Sequence, residues 1–113
     1  MNSYLPGASA RDAKAFNPSR PAMALIHDSD DARVVVFRIA PGQAVERHVT
    51  RSTVVLHVLS GTGTISGGDD ERAVEPGMML TFVPGEAHGM RATDDELVVL
   101  AMIAPRPGSR NGA

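Results

Sequence analysis

The sequence contains no cysteine. Disulfide staples, thiolate metal sites and cysteine nucleophiles are therefore excluded together. No uninterrupted apolar run approaches the length of a membrane span, and the opening residues, MNSYLPGASARDAK, lack the apolar segment of a secretory signal. The expectation is a soluble, cytoplasmic protein with no membrane partner. A basic excess is missing too: 11 Lys and Arg stand against 13 Asp and Glu, a net charge of -2. With no positive field to hold a polyphosphate backbone, nucleic acid is not an expected partner. Between residues 22 and 104 no stretch has a helical period, which leaves strands as the working element.

What is present suits one globular domain. The chain has 113 residues, 42% hydrophobic and 21% charged, enough for a single core. Residues 1–21 form an N-terminal arm rich in Pro, Gly, Ser, Ala and Asn. Residues 10–16 suit a helical turn or two, and Pro18 and Pro21 stop anything longer. The arm is expected to be disordered or loosely docked, or to cross to a second subunit on Tyr4, Leu5 and Phe16. Residues 105–113 read as a short tail.

The domain proper, 22–104, reads as about nine short strands. They fall at 22–27, 33–40, 45–49, 53–60, 62–66, 72–74, 79–83, 88–92 and 97–104. Turn chemistry separates nearly every pair: Asp28-Ser29-Asp30-Asp31, Pro41-Gly42, Gly67-Gly68, Pro76-Gly77, Pro84-Gly85 and Thr93-Asp94-Asp95. Closely spaced short strands predict an all-β antiparallel sandwich or small barrel.

Two stretches carry the polar chemistry: 42–61, GQAVERHVTRSTVVLHVLSG, and 77–88, GMMLTFVPGEAH. Strand alternation puts Glu46, His48 and Thr50 on one face and Arg47, Val49 and Arg51 on the other. The arginines belong in solvent or against a partner, which turns Glu46, His48 and Thr50 inward. His88 starts a later strand and can face His48 across the lumen. Two converging imidazoles suit a divalent transition metal such as Zn, Ni, Fe, Cu or Mn. The plainer reading is a pair of pocket histidines bonded to each other or to water. His57 falls on the face opposite Val54, Leu56 and Val58, away from the pocket, and His27 beside its acidic turn is expected in solvent. Met78, Met79, Met90 and Met102 suit a soft pocket wall or plain core. The Gly-rich pieces at 61–63 and 67–68 precede no helix and no GK[ST], so they are not phosphate loops.

The same residues resemble the two motifs of the cupin superfamily. The first motif runs glycine, five residues, His-x-His, three or four residues, Glu, six residues, Gly. Gly42, His48 and Gly61 fall on that count. The second runs glycine, five residues, Pro-x-Gly, two residues, His, three residues, Asn. Gly77, Gly85 and His88 fall on it, with Val83 at the proline position and Pro84 one step later. Thr50 stands at the second histidine position, Val54 at the glutamate position and Ala92 at the asparagine position. Of the family's three-His-one-Glu metal set, His48 and His88 are the members kept.

The resemblance implies a jelly-roll, or double-stranded β-helix, that forms homodimers. It also implies a metal-assisted reaction on a small organic molecule, of dioxygenase, isomerase or decarboxylase type. In that reading His48 and His88 hold the metal. Glu46 is the base, a replacement ligand or an orienter of His48. Thr50, Val54, Leu56, Met79 and Met90 line the pocket. The alternative is a non-catalytic small-molecule binding or sensor module without a tightly bound metal, which the apolar Val54 favours. A scaffold without a site is the third reading, and two inward imidazoles argue against it.

Overall fold

A computed structural model describes residues 1–15 and 17–108. Phe16, one of the expected arm anchors, and the end of the tail lie outside the described residues. Nine strands follow a short helix: α1 (Pro6–Arg11), β1 (Ala22–Asp28), β2 (Arg33–Ile39), β3 (Ala44–His48), β4 (Thr53–Ser60), β5 (Gly63–Gly67), β6 (Asp70–Val74), β7 (Met79–Phe82), β8 (His88–Ala92) and β9 (Leu97–Ala104). They form two antiparallel sheets, ordered β1-β2-β9-β4-β7 and β3-β8-β5-β6. The architecture is the expected all-β jelly-roll, with the sheets packed face to face rather than joined by hydrogen bonds into a closed cylinder.

Period-2 alternation builds the interior. Along β4, Val54, Leu56 and Val58 are buried while Val55, His57 and Leu59 are half-buried on the other face. Their partners on β9 repeat the pattern, so Leu97, Val99 and Ala101 join the same core. The second sheet adds Ile65, Val74, Met90 and Ala92. Each large aliphatic side chain fully removed from water here contributes roughly 1.5–3 kcal/mol. Gly61, just after β4, passes close against the chain entering β9, its neighbour in the first sheet. A Cβ there would lie 1.7 Å from the Glu96 carbonyl oxygen, and its φ of +79° is a left-handed conformation.

The arm is docked. Its helix begins at Pro6 rather than at Ala10, because proline is preorganised for the first helical turn. Ala10 buries against Val36 and Val98 on the outer face of the first sheet. Arg38 donates to the Ala10 and Arg11 carbonyls, both at 3.1 Å, satisfying acceptors that the helix end leaves open. Further along, Lys14 and Met23 exchange backbone hydrogen bonds, extending the first sheet past β1 by one bridge. No helix of the described residues is long and apolar enough to cross a membrane.

Candidate functional site at the barrel mouth

The site is built where β3 ends and β8 begins. These strands are antiparallel neighbours, and His48 is the register partner of His88. Their ring centroids lie 4.3 Å apart with planes at 61°, an edge-to-face contact. The two imidazoles are thus brought together as the sequence predicts, but side by side on neighbouring strands of one sheet rather than facing each other across the lumen.

Main-chain atoms hold both rings. His48 Nδ1 lies 2.9 Å from the Glu46 carbonyl oxygen, and His88 Nδ1 lies 3.1 Å from the Glu86 carbonyl oxygen. A carbonyl can only accept, so in each ring Nδ1 carries the proton and donates it. The neutral ring then has an unprotonated Nε2 with a free lone pair. The surrounding loops are tied together as well. The Gly85 amide donates to the Thr50 carbonyl at 2.8 Å, joining the segment after β3 to the turn before β8.

The two histidines differ electrostatically. His88 is 6% exposed and its ring leans on Phe82, with centroids 5.1 Å apart. Burial holds its pKa below the usual 6.5; the hydrogen bond to the Glu86 carbonyl opposes this, and the neighbouring His48 adds to the lowering. His48 is exposed. The pair therefore combines a buried ring held neutral with a ring open to solvent.

The structure places the other candidates differently. Val54 and Leu56 are buried on the inner face, and Met90 is buried there beside the pair. The Thr50 hydroxyl accepts from the Ser52 amide at 3.2 Å, so it is engaged with its own loop. Met79 is not part of the lumen wall: it is 62% exposed and pairs with His57 on the outer face. His57 faces away from the pocket, as alternation predicts.

Glu46 is displaced by a bulge. Val45 pairs with Met90 and His48 pairs with His88, so Glu46 and Arg47 together oppose the single residue Gly89. Val45 and His48 consequently share the inner face, and the expected grouping of Glu46 with His48 is broken. Arg47 crosses Gly89, where an added Cβ would meet the Arg47 Cγ at 3.1 Å, and donates to the Gly68 carbonyl. Glu46 is exposed, and its main-chain carbonyl anchors His48.

Sequence reasoning missed Phe82 and Glu86. Phe82 is the buried ring against which His88 rests. Glu86 supplies the anchoring carbonyl, and its carboxylate accepts from the Val83 amide at 3.2 Å. Their positions in the second histidine-bearing stretch, at a strand end and inside a Pro-Gly turn, were the available signal.

As a metal centre the donor set is sparse. Among the described residues no group of three or more His, Cys, Asp or Glu converges. Two neutral imidazoles leave a dication's charge uncompensated and most of its coordination positions unfilled. The set fits a tightly held resident metal poorly.

Comparison with known proteins bears on the whole of this frame. The family model of the Cupin domain matches residues 35–104. A structure of TT1209 from Thermus thermophilus superposes with a TM-score of 0.78 at 28% identity, covering 86% of this chain and 94% of that one. An RmlC-like cupin protein from Desulfovibrio desulfuricans gives 0.75 at 30% identity, covering 93% and 97%. A Klebsiella pneumoniae protein with a double-stranded β-helix domain gives 0.81 at 19% identity, covering 93% and 90%, a likeness of fold. A search of curated proteins returns no match. With both histidine-bearing stretches inside the matched region, and that region covering most of the chain, the protein belongs to the cupin family.

Proposed function

We propose that this cupin binds a small organic molecule at the barrel mouth and recognises a polar group of it through His48 and His88. The observation that carries the reading is the pair of Nδ1 anchors, which leaves the Nε2 atom of each ring uncommitted. Buried His88, held neutral, accepts a hydrogen bond from a ligand hydroxyl or N–H. Exposed His48 offers an acceptor when neutral and a donor when protonated. The apolar Val54 behind them, in place of a carboxylate, suits a binding module more than a tight metal centre.

A metal-assisted activity of dioxygenase, isomerase or decarboxylase type is the second reading. The same anchors favour it, because ligating histidines typically donate their other nitrogen to a fixed acceptor. His48 and His88 would hold the ion, which would supply Lewis-acid chemistry, with the remaining positions left to ligand or water. Thermal unfolding of the protein against a small-molecule panel, with and without chelator, separates the two readings. Stabilisation that survives chelation supports binding without metal. Stoichiometric Zn, Ni, Fe, Cu or Mn in the purified protein, lost in His48→Ala or His88→Ala, supports the second. Neither ligand nor metal would sink both.

We also propose that the outer face of the first sheet pairs with a second copy. Two cross-strand rows lie there, Val34-Met102-Val55-Thr81 and Val36-Leu100-His57-Met79. Neither row contains Lys, Arg, Asp or Glu, and Met79 and Met102 are 62% and 48% exposed. These two rows, free of formal charge, have nothing to select an oppositely charged partner, and such a surface can complement itself under two-fold rotation. Helix α1 covers one end of it, so a homodimer would cover the rest. Sedimentation should give a dimer that Met102→Lys dissociates; a native monomer at micromolar concentration would remove the idea.

A further inference from the structure

A cavity of about 860 Å³ opens between β1, at one edge of the first sheet, and β3, at the edge of the second. Its floor is apolar. Met23 pairs with Phe37, which packs on the main core, and Val45 reaches the cavity from β3. Met23 is 52% exposed although it stands on the face that turns toward the interior. The rim is cationic. Lys14 pairs with Met23 and so stands in the same cross-strand row, Lys14-Met23-Phe37, while Arg20 lines the cavity from the arm. Neither cation is in an ion pair with a described residue. Glu46, freed from His48 by the bulge, is the acidic residue of the lining.

The rim is preformed. Besides the Lys14–Met23 bridge, Gln43 donates to the Pro18 and Arg20 carbonyls at 3.0 and 3.3 Å and accepts from the Ala40 amide at 2.9 Å. The arm is thereby held against the domain on both sides of the cavity. An apolar floor, a few fixed polar groups and this volume are the general attributes of a small-molecule site.

We infer that this slot holds the body and charged end of the ligand, and that the ligand class is an organic monoanion with an extended apolar body. The inference rests on the barrel being a small-molecule pocket. The apolar body lies on Met23, Phe37 and Val45, and the anionic group lies at Lys14 and Arg20. The opposite end of the ligand points along the inner face of β3 toward His48. Glu46 sets the charge: a second anionic group on the ligand lies against its carboxylate and is disfavoured.

Calorimetric titration with octanoate, octan-1-ol and octanedioate tests the inference. Octanoate should bind at least about tenfold more tightly than the alcohol or the dianion. The exposed double variant Lys14→Glu/Arg20→Glu, checked for native circular dichroism, should weaken octanoate at least about tenfold. The methyl carbon signal of Met23 should move on binding to the native protein. No octanoate binding, equal binding of the alcohol, or an unmoved Met23 signal would overturn it. If octanoate binds, ignores the charge reversal and is lost in His48→Ala/His88→Ala, the anion sits at the imidazoles. The slot assignment then fails while the small-molecule reading stands.

Discussion

His48 and His88 are cross-strand partners, one exposed and one buried, and each is anchored through Nδ1 to the carbonyl two residues before it. The pair is therefore a property of β3–β8 register, and substitutions that touch either ring or its support have separable outcomes.

Removing each ring should cost different amounts. His88→Ala empties a buried position against Phe82 and should lower stability by roughly 1–3 kcal/mol. His48→Ala removes an exposed ring and should stay within about 0.5 kcal/mol of the parent. Urea midpoints of the two variants measure this. Equal losses would show that His88 is not seated in the interior as described.

Stability should fall as pH drops through the histidine range. Because burial depresses the His88 pKa, the folded chain holds fewer protons on this ring than the unfolded chain just below 6.5. Protons then favour the unfolded chain. The stability that comes from a neutral His88 is complete above 6.5 and shrinks below it. Urea midpoints measured from about pH 7.5 down to about pH 5 should decline, and His88→Gln should flatten that decline. Asp28 acts in a lower window: its ion-paired carboxyl is held below 3.8, so its contribution is lost only as pH falls through that range. A His88→Gln profile as steep as the parent's would reject the assignment.

Gly67→Ala should disturb the site without replacing a histidine, from the position opposite His88 on β5. The new Cβ would meet the Phe82 ring at 2.6 Å, so that ring must shift, and it is the surface on which His88 rests. The imidazole carbon-bound proton signals of His88 should move more than those of His57, which lies on the outer face. Unchanged His88 signals would mean that Phe82 does not position it.

Gly61→Ala should be far more damaging. Left-handed backbone and a collision with the Glu96 carbonyl combine there, and a loss of about 3 kcal/mol or more is expected, read as failed expression or a collapsed thermal midpoint. A stable, native Gly61→Ala protein would contradict the close approach between β4 and β9.

Much of this frame was legible before the structure. Turn chemistry such as Pro41-Gly42 and Gly67-Gly68 delimits the strands, and the spacing of His48 and His88 within their stretches brings the rings together. Two placements were not read correctly, for different reasons. Glu46 was assigned by unbroken alternation, and a bulge breaks it. Gly89 was the local hint, since a glycine inside a strand often marks a bulge or a close approach. Met79 was assigned by its chemistry as a soft pocket liner, although alternation from Leu80 and Phe82 sends it outward. The slot between β1 and β3 depends on how the arm lies across both sheet edges, a long-range arrangement that no local pattern encodes.

The Gly85–Thr50 hydrogen bond is made entirely by main-chain atoms. Apart from Gly85, whose φ of +88° calls for glycine, and Glu86 and Thr50, whose side chains brace their own turns, residues of the linked segments can be exchanged with this tie left intact. Scaffold and selectivity are thus written in different parts of the polypeptide. Redesigning what this protein recognises becomes a matter of repainting the walls, with the hinge posts left standing.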